Sequence, residues 1–160
     1  MLTKTDYLAF IHCPKRYFLE EHQPELKSPP DPSTQRRLEI GQQVDRRARN
    51  QYPLGTHIPY RPQPADMAPL TSQAITEGAE TLFQATFTAD DLLVKTDILA
   101  RAGGGWHLVE VKSSTTVKED EHIPDVAFQL YVLTEASSGL EAELACPGLH
   151  GVLLAQAETG

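Results

Sequence analysis

Glu110-Val111-Lys112 lies in GWHLVEVKSS, a stretch whose alternation of apolar and charged residues reads as a β-strand. Side chains on a strand alternate faces, so Leu108, Glu110 and Lys112 share one side and Val109 and Val111 the other. Asp97 interrupts the apolar run TDILA of the preceding segment, and a simple hairpin brings it alongside Glu110. Two carboxylates and an ammonium then converge near a sheet surface. Carboxylates are hard oxygen ligands for a divalent cation, which can neutralise the nonbridging oxygens of a phosphodiester and lower the pKa of a bound water. A lysine beside them can orient that water or help to deprotonate it, and can stabilise the charge that accumulates during attack. Glu and Lys two residues apart are also what the solvated face of an ordinary antiparallel sheet presents, so the tripeptide alone leaves both readings open.

The elements that must hold these groups follow from periodicity and chain breakers. Thr3 to His22 reads as helical, with Leu8, Ile11, Phe18 and Leu19 as apolar anchors and a break at Cys13-Pro14, because the residue before proline disfavours the helical conformation. The run QPELKSPPDPS, residues 23–33, is proline-rich and poor in apolar groups, as an exposed linker should be. Ser33 is expected to cap a helix reaching about Gln51, with Leu38, Gly41, Val44 and Ala48 on one face. Thr71 is expected to cap another, reaching Phe83. LFQATF, LLVKTDILAR and GWHLVEVKSS, separated by ADD and AGGG, read as three strands of an antiparallel meander. Asp125 to Glu135 is a further helix carrying Val126, Phe128, Leu130 and Leu133, and GVLLAQ is a last strand. This order predicts an α/β chain of the α+β kind, built on a mixed sheet.

A length of 160 residues suits one domain over 1–160. No stretch approaches the roughly 20 apolar residues that cross a bilayer, and Asp6 stands where a secretory signal would be apolar, so no membrane partner and a cytoplasmic location are expected. The formal charge of −8 works against attraction to phosphate backbones. The basic residues are unevenly spread, however: Lys15-Arg16, Arg36-Arg37, Arg46-Arg47 and Arg49 crowd the first third and can make a locally positive surface. The two cysteines, Cys13 and Cys146, are too few for a disulfide framework and lack zinc-site spacing, and the histidines show no metal-ligand spacing.

Asp97, twelve residues, then Glu110-Val111-Lys112, followed by Ser113-Ser114-Thr115 and a helix with Gln129 and Tyr131, resembles the RecB-like branch of the PD-(D/E)XK nuclease superfamily. FIHCPKRYFLE resembles the C-P-(R/K) segment of CRISPR-associated RecB-like exonucleases and of related uncharacterised iron–sulfur nuclease-like proteins. The resemblance implies a restriction-endonuclease-like core and a DNA nuclease using Mg2+ or Mn2+. It makes Asp97, Glu110 and the backbone carbonyl of Val111 metal ligands, Lys112 the catalytic lysine and Gln129 a supporting residue. The family's helix pattern G-x-x-x-H ends here, from Gly41, in Asp45, an oxygen ligand that suits the same metals, although an exposed helix charge with i, i+4 partners would look the same. Gln84 stands where relatives often carry a glutamate, and Tyr131 follows Gln129 by two residues where four is usual, so it reads as a partly buried helix residue. The iron–sulfur relatives use four cysteines. With Cys13 and Cys146 only, one copy of this chain cannot hold an intact cluster, and Cys13 reads as a small buried residue beside the helix break. Residues 136–160 lack a family-like continuation and read as a truncated or degenerate C-terminal part. The alternative function is a catalytically weak nucleic-acid-binding or assembly module, a remnant of a larger iron–sulfur nuclease.

Overall fold

Pro14 divides the first helical stretch in two, as its lack of an N–H requires. In the computed structural model, which describes residues 1–102, 105–114 and 116–138, α1 spans Lys4–His12 and α2 spans Pro14–His22, with Cys13 extended between them. Thr3 and Asp6 form a capping box at the start of α1. Helix α1 packs through Ala9 and through Tyr7, whose ring stacks on Phe128 at 5.1 Å. Ile11 and Phe18, expected as anchors, are exposed, as is Cys13. Residues 23–31 contain one 3-10 turn, Pro24–Leu26, and otherwise no regular element.

Helix α3 spans Pro32–Arg49. Asp31, not Ser33, caps it by accepting the Thr34 N–H at 2.7 Å, with Pro32 at the first helical position, where a missing N–H costs nothing. Of its expected apolar face Val44 and Ala48 are buried, whereas Leu38 is exposed. Helix α4 spans Ala68–Thr76, so Thr71 lies inside it. Thr71 Oγ1 donates to the Met67 carbonyl and accepts the Thr86 N–H at 2.9 Å, which ties the helix to the sheet. The helix stops well before Phe83: Gly78 takes a positive φ of 87°, and the Ala79 N–H closes back on the Ala74 carbonyl.

Residues 81–109 form the meander in five pieces rather than three. Strands β3 (Thr81–Phe83) and β4 (Thr86–Ala89) pair antiparallel with β6 (Ile98–Ala102) and β5 (Leu92–Lys95) respectively, and β7 (Gly105–Val109) pairs with β6. The hairpin remains bonded through its kink, Gln84 N–H to the Asp97 carbonyl and Thr96 N–H to that of Ala85, with Gln84 at φ 58°. Two short strands absent from the sequence reading, β1 (Leu2–Thr3) and β2 (Thr56–His57), add in parallel to β5 and β3. The described residues therefore contain sheets ordered β1-β5-β4 and β2-β3-β6-β7, an α+β fold with mixed sheets.

Strand alternation on β3-β6-β7 sorts two cores. Leu82, Leu99 and Leu108 face a large cluster with Val126, Phe128, Val132 and Leu133 of α5 (Glu119–Ser138). Phe83, Ile98 and Val109 face a smaller one with Ala48 of α3, Tyr52 and Val111. Helix α5 begins six residues before Asp125, the start expected from the sequence, and Pro124 lies inside it. His122 Nδ1 accepts the Lys118 N–H and fixes the first turn, and Asp120, whose carbonyl loses its bond to Pro124, is exposed to solvent. The GVLLAQ strand and Cys146 lie outside the described residues. Among the described residues no helix is long and apolar enough to cross a membrane.

Candidate functional site

Ile98 pairs with Val109, and one step further along that register Asp97 stands opposite Glu110. The ladder ends there. Asp97 Oδ2 accepts the Val111 N–H at 2.9 Å, so the side chain takes over the strand pairing and fixes both carboxylates at one end of the sheet. Glu110 is buried, 2% exposed, beneath α1 and α5 rather than on the sheet surface expected from the sequence. Its Oε1 accepts Lys112 Nζ at 2.7 Å and Lys4 Nζ at 2.8 Å, and its Oε2 accepts Gln129 Nε2 at 2.8 Å. Asp125, also buried, accepts Gln129 Nε2 at 2.7 Å, Lys4 Nζ at 3.1 Å and a short bond from Lys112 Nζ. Two carboxylates and two ammoniums thus alternate around the Gln129 amide. Both contacts of Gln129 Nε2 are with carboxylates, which fixes the orientation of the amide and leaves its Oε1 buried without a partner.

Among the described residues Asp97 belongs to no ion pair. Burial and the neighbouring charge of Glu110 push its carboxyl up to about 6, with Asp45 adding to the effect, against the lowering by the Val111 N–H and Lys4. Burial alone would lower Lys4 and Lys112, yet Glu110 and Asp125 outweigh it and lift both ammoniums above their ordinary value. The same contacts overcome burial at Asp125 and hold it below the usual carboxylate range. Lys112 is therefore a fixed positive charge here. So held, its ammonium can orient and neutralise.

Asp45 lies three residues before Ala48, which packs on Ile98, so the same face of α3 carries its carboxylate towards Asp97. It makes the i, i+4 ion pair with Arg49 that an ordinary helix charge would make. Its second oxygen, Oδ1, is nevertheless buried and without a hydrogen-bond partner. Cys13 is exposed rather than buried, and Tyr131 is exposed rather than partly buried. Gln84 shapes the hairpin kink by its backbone. Ser114 Oγ donates to the Thr116 carbonyl, a turn contact.

Lys4 and Asp125 are site members that the sequence reading missed. Asp125 carried a signal: it precedes Gln129 by one helical turn on a face otherwise made of Phe128, Val132 and Leu133, where an unpaired acid would be costly. Lys4 carried none, because only the parallel pairing of β1 with β5 brings the start of α1 to this end of the molecule.

A hard cation can be tested against these donors. Among the described residues no three His, Cys, Asp or Glu side chains are grouped closely enough to hold a metal ion as they stand. The donor chemistry nevertheless fits one. Asp45 Oδ1 is a desolvated acceptor with nothing to accept, and the repulsion that raises Asp97 is what a divalent charge relieves. A carboxylate has about four lone-pair sites, so Glu110, with three donors already placed, retains one on Oε2. A pocket of ≈ 300 Å³ lined by Thr5, His12 and Arg16 opens onto Lys112 and Asp125 and gives solvent a route to the lysine side of the cluster. No protein-family model and no curated protein matches the chain.

Proposed function

We propose that this chain is a RecB-like nuclease that hydrolyses DNA phosphodiester bonds with Mg2+ or Mn2+. The observation that carries the reading is the register of β6 and β7, which stands Asp97 opposite Glu110 with Lys112 bonded to the latter. Asp45, Asp97, Glu110 and the Val111 carbonyl would hold the cation. When bound, it would neutralise phosphate oxygens and acidify a water. Gln129 and Lys112 hold Glu110 in one orientation, and the Lys112 ammonium would offset the charge that develops on the phosphoryl group. Lys4 and Asp125 position Lys112 and Glu110 rather than touching substrate.

The test is cleavage of single- and double-stranded DNA with each metal. Lys112→Ala and Asp97→Ala should each lose at least about a hundredfold in rate, the scale of an electrostatic contact made in the transition state. Unchanged activity in both would sink the proposal. Calorimetric metal titration of wild type and Glu110→Ala tests the metal site without a guessed substrate.

One observation favours a second reading, a catalytically weak nucleic-acid-binding module. Lys4 and Lys112 already neutralise Glu110 and Asp125, so the buried pair is satisfied without metal. Salt-dependent DNA binding with no metal-dependent cleavage would select it.

A further inference from the structure

The arginines at the end of α3 do not scatter over the surface. Arg46, Arg47 and Arg49 line a cleft of ≈ 880 Å³ together with Asn50, Tyr52, His57 and Phe83. Arg49 is paired with Asp45, but among the described residues Arg46 and Arg47 belong to no ion pair, so the cleft carries uncompensated positive charge in a chain of net −8. The same lining carries two rings, His57, which is exposed, and Phe83, which is buried. The His57 and Phe83 rings stand 6.5 Å apart and tilted by 59°, and His57 Nδ1 is held by the Ile58 carbonyl, which fixes the ring's orientation. Gly55 lets the Phe83 ring lie against the chain, because a Cβ there would fall 2.2 Å from Phe83 Cζ.

The cleft adjoins the carboxylates through two direct links. Arg49 is shared between the cleft and Asp45, and Phe83 pairs with Ile98, the residue after Asp97. Guanidinium groups beside an exposed ring match a strand of nucleic acid, whose phosphates need charge and whose unstacked bases need a π-surface. A duplex offers its phosphates but keeps its base faces stacked, so the exposed His57 ring favours a single strand.

We propose that this cleft binds single-stranded nucleic acid, with Arg46 and Arg47 on phosphates and His57 against a base, and leads the strand towards Asp97 and Glu110. The choice of ligand rests on the phosphodiester reading of the neighbouring carboxylates, but binding can be measured without cleavage. The experiment titrates the full chain, in EDTA, with a fluorescent oligothymidylate of about ten nucleotides, within the usual site size for such grooves, and with an abasic strand of the same length. Arg46→Gln/Arg47→Gln should weaken binding of the oligothymidylate by about tenfold or more. It should also flatten the dependence of log K on log salt by about 1.4, at about 0.7 for each single-strand phosphate that the variant leaves without its arginine. Arg36→Gln/Arg37→Gln removes the same charge from the same helix outside the cleft and should bind nearly as wild type does. The abasic strand, and His57→Ala with the normal strand, should each bind several-fold more weakly.

Equal weakening by the two arginine pairs, or none by Arg46→Gln/Arg47→Gln, would overturn the cleft as the site. Equal affinity for the abasic strand would overturn nucleic acid in favour of a general polyanion. A chain that binds through Arg46 and Arg47 yet never cleaves refutes the nuclease reading alone, whereas one that cleaves with binding indifferent to these arginines refutes this inference alone.

Discussion

Lys4 Nζ meets Glu110 Oε1 at 2.8 Å across 106 residues of chain. The contact joins the first helix to the end of the central ladder, and it places an ammonium on the carboxylate that a cation would need. Lys4 therefore serves the folded state and competes with the proposed metal. Lys4→Met keeps most of the aliphatic stem and removes the charge, leaving Glu110 and Asp125 with Lys112 alone. Stability should fall by about 1–3 kcal/mol, less than for a buried pair fully broken because Lys112 remains. Affinity for Mn2+ should rise, since Glu110 Oε1 regains a lone pair. Urea unfolding reads the first and calorimetry the second; a variant as stable as wild type would show the contact to be energetically idle.

Strand alternation and hairpin logic made much of this neighbourhood legible. Leu108 and Val109 do enter different cores, and the hairpin does bring Asp97 beside Glu110. Local breakers were equally readable at Pro14, where geometry leaves the chain no choice. Most of what failed depended on partners distant in sequence. The kink at Gln84 splits each long strand because Thr71 takes the Thr86 N–H, a bond that no local pattern announces. The burial of Glu110 was not legible because α1 and α5 make it, and one of its two cations, Lys4, lies 106 residues away in sequence. Asp31 was passed over for Ser33 because both are good caps and the hydroxyl in fact donates to the carboxylate.

Gln129 donates to Glu110 and Asp125 through a single amide nitrogen. Gln129→Leu deletes both bonds at nearly constant volume and should cost about 1–3 kcal/mol. Gln129→Glu is closer in shape but sets a third carboxylate against two, so it should cost more, about 3–5 kcal/mol, when ionised. The order of the two midpoints in urea is the check. Glutamate proving milder than leucine at pH 8 would mean that the lysines, not the amide, hold the cluster.

Phe83 lies over Gly55 so closely that a Cβ on Gly55 would fall 2.2 Å from Cζ and 2.4 Å from Cε2 of its ring. Gly55→Ala must displace that ring from a position packed on Ala48, Ile98 and Val109. Overpacking of this kind costs about 1–3 kcal/mol, and the displaced ring would narrow the arginine cleft. Thermal unfolding measures the first effect. Unchanged melting would show that the ring has room to turn aside.

Asp97 gives the protein a pH dependence of unusual sign. Its carboxyl, raised from an ordinary 3.8 to about 6, binds its proton more tightly folded than unfolded. The folded state therefore holds more protons between these values, and its stability falls as pH rises through that window. The penalty is complete above pH 6 and absent below 4. Two units correspond to about 3 kcal/mol, but Asp97 is partly exposed, and solvent screening reduces this to about 1–2 kcal/mol. The other shifted groups of the site do not confuse the reading. Lys4 and Lys112, raised, lose their contribution only as pH climbs past 10.5, and Asp125, lowered, loses its contribution only below 3.8. Asp97→Asn preserves an oxygen for the Val111 N–H and removes the titration. The difference between variant and wild type in EDTA should be near zero at pH 4 and grow in the variant's favour up to pH 7. Mn2+ should reverse it for wild type alone, because the cation binds the ionised carboxylate and stabilises the state that is otherwise strained. A difference that stays flat from pH 4 to 7 would mean that Asp97 has an ordinary pKa. A flat response to Mn2+ would separate the buried charge from the metal site proposed for it.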